Sequence, residues 1–225
     1  VVSAHNAFPK AATTPWHRRF LASAFEYCAG VYGVSNSALE LFEAGFSTYL
    51  PHRTVRRAIH NYVDTRVFVP NPDARSRFRR ALNVPEDVLL VGCLGRLSEH
   101  KRPLYTLEVF SRVAVKHRNA HFVFVGEGAL ADELRTQIRQ LSFKDRVHVL
   151  PFTSTPEDIF PALDVHVLLS KVEGFGISTV EALSCGVPVV ATAVPGSEEI
   201  LKHEETGFLV GKDDAKAAVD RICDL

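Results

Sequence analysis

The sequence predicts an α/β fold in which a parallel β-sheet is covered by helices on both faces. After Pro85, short apolar runs alternate regularly with stretches of helical periodicity, and strands that alternate with helices are typical of parallel sheets. The runs at 88–91 and 187–190 are nearly continuous in aliphatic side chains. Such runs indicate strands that are buried on both faces.

The first 69 residues hold fewer elements, and we interpret them as part of an N-terminal domain. Strands are predicted at 1–5, 30–34 and 55–60. Helices are predicted to begin after Thr14, with Pro15 in the first turn, and after Ser35 or Asn36, because hydroxyl and amide side chains cap helices. Three strands are too few to close a sheet core, and the sequence contains no methionine. We therefore expect it to be an interior piece of a longer chain.

Pro70-Asn71-Pro72 marks the predicted boundary between this partial domain (1–69) and a second domain (70–225), because two prolines disfavour regular pairing. In the second domain, strands are predicted at 88–94, 121–125, 147–150, 165–169, 187–192 and 207–210. Helices are predicted at 103–116, 130–141, 156–163, 177–184 and 197–201, with another that begins near Asp213. The sequence ends within that last helix, so the second domain is expected to be truncated at its end.

Charge is unevenly distributed although the net charge is zero. Residues 1–80 hold eleven Lys and Arg against five Asp and Glu, a balance of +6, and residues 81–225 hold fifteen against twenty-one, a balance of −6. The basic excess is concentrated in seven arginines: Arg53, Arg56, Arg57, Arg75, Arg77, Arg79 and Arg80. One interpretation is a patch for anionic lipid or an acidic acceptor. We favour the other, a solvated face around a linker, because no aromatic or amphipathic segment accompanies the charges.

Composition and cysteine placement indicate a cytoplasmic protein. No run of about 18 apolar residues could span a membrane, and the sequence opens without the basic flank and apolar region of a signal peptide. The four cysteines are widely spaced and lie in or beside apolar runs, as reduced, packed thiols do. We expect the protein in the cytoplasm, or at the inner face of a membrane if its basic N-terminal part makes a peripheral contact with lipid.

Three segments that could carry chemistry follow predicted strands, at the edge where ligands bind parallel sheets. The first, after strand 88–94, contains Arg96 and Lys101. Both side chains can reach a diphosphate from one loop, the arginine as a planar fork and the lysine as a point charge. The second segment is Gly126-Glu127-Gly128, where glycines permit a ligand to approach the backbone closely.

The third segment runs from Glu173 to Glu181, between a predicted strand and a short helix. A helix that begins near Ile177 points its free N–H groups and positive dipole end at the loop, and Gly174 and Gly176 let a ligand approach the backbone. This arrangement suits a phosphate. An ordinary strand–helix turn with two surface glutamates explains the segment equally well when it is taken alone. Together, the three segments describe a site for a nucleoside diphosphate.

No metal site is predicted. His117 and His121 are four residues apart, but a helix–strand junction falls between them, and the spacing of metal-binding motifs is missing elsewhere. There is also no Ser-His-Asp or Cys-His arrangement of the kind used in nucleophilic catalysis. The nucleotide site is therefore expected to work without a metal ion.

From residue 34 to residue 210 the sequence resembles the retaining glycosyltransferases of family 4, also called glycosyl transferases group 1, which have the GT-B fold. The matching motifs occur in the family's order: Val34-Ser35, Asn61-Tyr62-Val63-Asp64 with Phe68-Val69-Pro70, Gly95-Arg96-Leu97 with Lys101, Gly126-Glu127-Gly128, Glu173-Gly174-Phe175-Gly176 with Glu181-Ala182, Cys185-Gly186-Val187-Pro188-Val189-Val190, Pro195-Gly196 with Glu199-Ile200, and Thr206-Gly207-Phe208-Leu209-Val210. The resemblance implies a Rossmann-like C-terminal domain that binds the donor, preceded by part of a second Rossmann-like domain.

The resemblance implies a role for each matching side chain. Arg96 and Lys101 hold the diphosphate of the donor and stabilise charge on the leaving group. Glu173 lies beside the donor sugar and stabilises positive charge at its anomeric carbon. Glu181 accepts hydrogen bonds from the ribose hydroxyls. His5, at a predicted strand end, is similar to a family histidine that contacts the sugar from the other domain.

Backbone groups complete the implied donor site. N–H groups around Phe175, Gly176 and Ile177 bind the distal phosphate and sugar hydroxyls. Residues on neighbouring loops also belong to the site, with Phe152 and Glu127 near the base: Gly95, Gly126, Glu127 and Phe152. Tyr62 departs from the family's pattern, which usually has glycine there, so this turn either avoids a positive φ or strains a bulky residue.

The expected reaction is transfer of a hexose from a UDP- or GDP-linked donor to an acceptor hydroxyl, with retention of the anomeric configuration. The acceptor would be a glycan, a lipid or a small molecule, and neither a cofactor nor a nucleic-acid partner is expected. Two alternatives stay open: a nucleotide-binding fragment or partner subunit without turnover, and another enzyme of this fold, such as a sugar-nucleotide epimerase. Arg96, Lys101, Glu173 and Glu181 in register favour the transferase over the epimerase.

Overall fold

A computed structural model describes residues 2–4 and 15–225. These residues form two parallel β-sheets, one of three strands and one of six. The smaller sheet has the order β1-β2-β3, with strands β1 (Val2–Ala4), β2 (Gly30–Gly33) and β3 (Val55–Ala58). Its helices are α1 (Pro15–Phe25) and α2 (Asn36–Phe46), and a 3₁₀ turn at Ser47–Tyr49 follows.

The larger sheet has the order β6-β5-β4-β7-β8-β9, and every neighbouring pair is parallel. Its strands are β4 (Leu90–Leu94), β5 (His121–Val125), β6 (Val147–Leu150), β7 (Val165–Leu168), β8 (Val189–Thr192) and β9 (Phe208–Val210). The accompanying helices are α3 (Pro72–Ala81), α4 (Pro103–Lys116), α5 (Ala131–Arg139), α6 (Ile177–Ser184), α7 (Pro195–Glu198) and α8 (Ala215–Cys223).

The strand order reverses between β4 and β7. The chain adds β5 and β6 on one side of β4 and then places β7 on the other side, with Val91 opposite Val165 and Gly92 opposite His166. In open parallel sheets, ligands bind beyond the carboxyl ends of the strands at such a reversal. The loops after β4 and β7 therefore open into one crevice.

Apolar side chains cover both faces of the larger sheet, which confirms the predicted α/β architecture. On one face, Phe110 of α4 stacks on Phe122 of β5 with ring centroids 4.7 Å apart, and α8 packs beside them. On the other face, Val123 lies in a second cluster with Phe160 and Ala182 of α6. Alternate residues of β5 thus enter different cores, as the pleat of a doubly covered strand requires.

Most predicted elements are confirmed, and one is wrong. The bounds of Pro103–Lys116, His121–Val125 and Ile177–Ser184 agree with the prediction residue by residue. The helix predicted at 156–163 is instead two short 3₁₀ helices, Pro156–Asp158 and Phe160–Ala162. The physical reason is Pro161, since proline lacks the N–H group that a continuing α-helix would need there.

A helix begins directly at the segment that the sequence predicts to be a linker. Asn71 is the N-cap of α3, its side-chain oxygen accepts a hydrogen bond of 3.0 Å from the Ala74 N–H, and Pro72 occupies the first turn. Tyr62, in the turn before this segment, is exposed and has no positive φ. Of the two alternatives for that turn, the chain therefore takes the unstrained one. The domain boundary at residue 70 stays a prediction.

Arg79 of α3 corrects the interpretation of the basic cluster as a solvated face. Its side chain is fully buried. It donates hydrogen bonds to the carbonyl oxygens of Ala162 (2.9 Å), Pro85 (2.8 Å) and Val88 (2.8 Å), and to the Asp164 carboxylate (2.5 Å). Burial lowers the pKa of Arg79, and the charge of Asp164 opposes that shift. Arg79 therefore fixes α3 to the amino-terminal ends of β4 and β7 in the larger sheet.

The arginines before α3 fit the solvated interpretation. Arg53, Arg56 and Arg57 are exposed, and Arg56 forms an ion pair of 3.2 Å with Glu43. A contact between this surface and lipid stays a prediction. Among the described helices, none combines the length and the apolar character needed to cross a membrane.

Candidate functional site

A cavity of about 690 Å³ opens beyond the carboxyl ends of the central strands of the larger sheet. Nine of the predicted site residues line it: Gly95, Arg96, Lys101, Gly126, Glu127, Phe152, Glu173, Ile177 and Glu181. Three others, Gly174, Phe175 and Gly176, lie in the adjoining loop but not in the lining. His5 falls outside the described residues. The roles of all these residues stay predictions, whereas their convergence is a property of the fold.

The loops after β4 and β5 are joined by backbone hydrogen bonds. The Gly95 N–H donates to the Val125 carbonyl over 3.0 Å, and the Leu97 N–H donates to the Glu127 carbonyl over 2.8 Å. A Cβ atom at Gly126 would lie only 2.1 Å from the Gly95 carbonyl oxygen. Glycine is thus required at this position by the neighbouring loop. The approach of a ligand to this backbone stays a prediction.

Two cations of the β4 loop have different surroundings. Lys101 Nζ lies 2.5 Å from Glu173 Oε2, which also accepts a hydrogen bond of 3.2 Å from the Ser170 hydroxyl. Glu173 is only 8% exposed, and a carboxylate that is buried to this extent needs a cationic partner. Arg96 is exposed and has no ion-pair or hydrogen-bond partner in the described part of the chain. The Arg96 guanidinium is therefore available to an anion in the cavity.

The first turn of α6 lies at the cavity wall. Gly176 precedes the helix in the left-handed region, with φ 84° and ψ 57°, and no side chain caps the helix. Within residues 2–4 and 15–225, no oxygen accepts a hydrogen bond from the N–H groups of Ile177 and Ser178, which both line the cavity. Free N–H groups and the positive dipole end of a helix attract an anion.

Glu181 lies one helical turn beyond Ile177 and lines the same cavity. Burial raises the pKa of Glu181, and the nearby Glu157 carboxylate raises it further. No described cation forms an ion pair with Glu181. A ligand that donates hydroxyl hydrogen bonds would therefore fit beside this carboxylate better than a second anion would.

The sequence predicts only some of the aromatic and hydroxyl side chains that line the cavity. Phe152, which was predicted, is 72% exposed and offers a ring on which a planar group could stack. Thr153, Ser154 and Ser178 also line the cavity but were not singled out. Hydroxyl residues after a strand are too common for the sequence to distinguish these three.

His166 of β7 lies behind the cavity wall, next to the cavity-lining Ser178. It is fully buried, and its Nε2 atom lies 3.3 Å from the hydroxyl of Ser178. Burial lowers the pKa of His166 to about 3, and the charge of Lys101 contributes to the shift. His166 is thus neutral in the folded chain at ordinary pH.

The shifted pKa predicts how the stability of the chain depends on pH. Because the pKa of His166 in the folded state lies below the unfolded value, the unfolded chain binds an extra proton between about pH 6.5 and pH 3. The contribution of His166 to the free energy of unfolding is complete above pH 6.5. It falls by about 1.4 kcal/mol for each pH unit as the pH decreases through this range. Urea unfolding at pH 7, 6 and 5 should therefore show a smaller loss of stability for His166→Phe than for the wild type. Parallel curves for the two proteins would refute the assignment.

No candidate metal centre exists among the described residues, which contain no group of three or more His, Cys, Asp or Glu able to hold an ion. The cavity wall combines cationic side chains, helix N–H groups and the Glu181 carboxylate.

Sequence comparisons identify the relatives of the chain. The model of the family described as "Glycosyl transferases group 1" matches residues 74–225. An uncharacterized glycosyltransferase of Methanocaldococcus jannaschii is 32% identical over 213 residues, which are 92% of this chain and 53% of the relative. The lipopolysaccharide core biosynthesis mannosyltransferase LpsB of Rhizobium meliloti is 32% identical over 167 residues, 70% of this chain and 47% of the relative. The chain thus spans about half the length of these curated relatives.

The fold is also found among solved structures. HepE of Anabaena, solved in complex with UDP and glucose, superposes with a TM-score of 0.82 at 24% sequence identity, over 99% of this chain and 61% of that one. This likeness shows that the fold is of the GT-B type, as the sequence resemblance implies. On the family match over 74–225 and the relative that is 32% identical along nearly the whole chain, the protein belongs to the glycosyl transferases group 1 family.

Proposed function

We propose that the chain is the donor-binding part of a glycosyltransferase that moves a hexose from a UDP- or GDP-linked donor to an acceptor hydroxyl, with retention of configuration. The observation that carries the proposal is the convergence of Arg96, Lys101 and the first turn of α6 in one cavity, with Glu181 beside them. Support also comes from the relatives, since LpsB is named a mannosyltransferase and HepE was solved with UDP and glucose.

In this proposal the diphosphate is held by Arg96, Lys101 and the first turn of α6. Arg96 binds phosphate oxygens as a planar fork, and Lys101 adds a point charge. The N–H groups at the first turn of α6 bind the distal phosphate, where the helix dipole favours negative charge. These groups stabilise the charge that grows on the leaving phosphate in the transition state, which is where electrostatic catalysis has its largest effect.

The carboxylates serve the two sugars of the donor. Glu181 accepts hydrogen bonds from the ribose hydroxyls, and Phe152 lies near the base. Glu173 contacts the transferred hexose and stabilises positive charge at its anomeric carbon. Its ion pair with Lys101 fits this role, because Lys101 then bridges the diphosphate and the reacting sugar. His5 is proposed to contact the hexose from the opposite domain.

The proposed reaction occurs on one face of the sugar. The bond between the anomeric carbon and the phosphate oxygen breaks, and the acceptor oxygen forms its bond on the same face. The acceptor proton passes to an oxygen of the departing phosphate, so no side chain has to act as general base. The acceptor is a glycan, a lipid or a small molecule, and we propose that the reaction takes place in the cytoplasm without a metal ion.

An alternative is a chain that binds the nucleotide sugar without turnover. The cavity-lining residues in the described part of the chain lie between Leu94 and Glu181, so the described part of the smaller sheet supplies no wall of the cavity. Product analysis separates the two functions: NMR of a glycosylated acceptor should show the anomeric configuration of the donor. Inversion would refute retention, and nucleotide binding without any product from a panel of UDP- and GDP-hexoses and acceptors would favour the alternative.

Nucleotide binding is the direct test of the site. Calorimetric titration with UDP and with GDP, without added magnesium, should show binding of one of them, and Arg96→Ala should weaken it by about 10- to 100-fold, the value of a charge-assisted contact. Arg112→Ala is the matched control, because Arg112 is an exposed arginine that pairs with Glu108 on α4. If neither nucleotide binds the wild type, all donor-site assignments fail together.

A further inference from the structure

The carboxylate of Glu199, directly after α7, accepts hydrogen bonds from the first turn of α2 on the smaller sheet. Oε1 accepts from the Asn36 N–H and from its side-chain amide, each over 2.8 Å, and Oε2 accepts from the Ser37 N–H (3.0 Å) and hydroxyl (2.8 Å). The His60 Nε2 atom lies 2.6 Å from Oε1. One carboxylate at the end of α7 thus contacts two residues of α2 and one residue that follows β3.

This contact is electrostatically favourable. Burial alone would raise the pKa of Glu199, but the hydrogen bonds from Ser37, Asn36 and His60 together lower it to about 2. The carboxylate is therefore charged at ordinary pH, and it lies at the helix end where a negative charge is stabilised by the dipole. The two free N–H groups of α2 are satisfied by a residue more than 160 positions away in the chain.

Helices α2 and α7 also enclose the loop before α6, residues 173–176. The Ser35 hydroxyl, which caps α2 through the Ala38 N–H, donates a short hydrogen bond to the Gly174 carbonyl. Phe175 is buried in a cluster with Val34 and Ala38 of the smaller sheet. On the other side, α7 touches the loop so closely that a Cβ atom at Gly196 would lie 2.3 Å from the Glu173 carbonyl oxygen. The loop is therefore held between α2 and α7.

We infer that Glu199 is a positioning residue which, by fixing the first turn of α2 against α7, holds loop 173–176 in the shape that the cavity needs. Glu199 does not line the cavity, so it acts through Ser35 and Phe175 rather than on the ligand. The consequence for ligand affinity rests on the proposed function, since it assumes that the cavity binds a nucleotide. The ordering of the loop does not rest on it.

Hydrogen exchange measured by mass spectrometry tests the ordering of the loop without any ligand. In Glu199→Gln, an NH2 group replaces one carboxylate oxygen and the charge is lost, so peptides covering 35–38 and 173–177 should exchange about fivefold faster than in the wild type. Peptides from β5 should be unchanged. Glu198→Gln is the matched control, because Glu198 is the exposed last residue of α7 and precedes Glu199 directly. Equal exchange of 173–177 in the wild type and Glu199→Gln would overturn the inference.

Calorimetry with UDP or GDP then tests the effect on the cavity. Glu199→Gln should weaken nucleotide binding by about fivefold to tenfold. Ser37→Ala removes only one donor to Glu199, so it should weaken binding by less than Glu199→Gln does. Combining Glu199→Gln with Ser35→Ala should weaken binding by less than the product of the single effects, because both changes release the same loop. Wild-type binding with unchanged affinity in Glu199→Gln would overturn the positioning role while leaving the proposed function intact. Absence of binding in the wild type would refute the proposed function instead.

Discussion

Replacing Arg79 by methionine is expected to destabilise the chain by about 3 kcal/mol, the low end of the range for removing one partner of a buried ion pair. The change keeps the apolar stem but removes the fully buried cation from the Asp164 carboxylate, which keeps its second ion pair with Arg75 (2.9 Å). It also removes a donor from the carbonyl groups of Ala162, Pro85 and Val88. The first two keep longer hydrogen bonds, from Arg75 (3.2 Å) and from the Val88 N–H (3.3 Å), whereas the Val88 carbonyl loses the donor that Arg79 supplied. A buried acceptor that loses its partner costs stability by itself.

Urea unfolding of the full chain measures this effect, with the change read from the midpoint at constant slope. Arg77→Met is the matched control. Arg77 lies on the same helix, and its ion pair with Asp158 (3.1 Å) is exposed on both sides, so its loss should change the free energy of unfolding by less than about 0.5 kcal/mol. Equal effects of the two substitutions would show that the Arg79 network contributes no more than a surface pair.

Lys101→Met is expected to weaken nucleotide binding by roughly 100-fold, at the upper end of the range expected for Arg96→Ala. The substitution removes a cation from the cavity and leaves Glu173, whose ion pair measures 2.5 Å, as an uncompensated anion there. That anion then repels the phosphates of the ligand. Calorimetry with UDP or GDP under the conditions used for Arg96→Ala provides the measurement.

A double variant tests whether Glu173 repels the phosphates when Lys101 is absent. Lys101→Met combined with Glu173→Gln should bind the nucleotide better than Lys101→Met alone, because the amide removes the uncompensated charge and keeps the shape of the side chain. Such recovery would not follow from a general loss of folding. A double variant that binds no better than the single variant would contradict the electrostatic coupling of these two residues.

Local chemistry explains which parts of the fold could be predicted from the sequence. Helix α4 begins at Pro103 and β5 is a continuous apolar run, so both carry clear signals. The signals for α3 were also present, since Asn71 caps it and Pro72 fits its first turn, but a pair of prolines was interpreted as a linker. The burial of Arg79 could not be predicted, because its partner Asp164 lies 85 residues away.

The candidate site shows the same division. Arg96, Lys101 and Glu173 follow apolar runs, so the rule that ligands bind beyond strand ends predicts that they lie at one edge of the sheet. The pairing of Lys101 with Glu173 and the contact of Ser35 with Gly174 depend on how distant elements pack. No spacing within a single motif encodes such contacts.

The reversed strand order has a kinetic consequence. Lys101 and Glu173 are 72 residues apart along the chain, and they meet only when β7 has docked beside β4. Closing so long a loop is slow compared with forming local helices, since its entropy is lost before the contact forms. We therefore expect the cavity to form after the local helices, and a ligand that binds there to select chains in which β7 has already paired with β4.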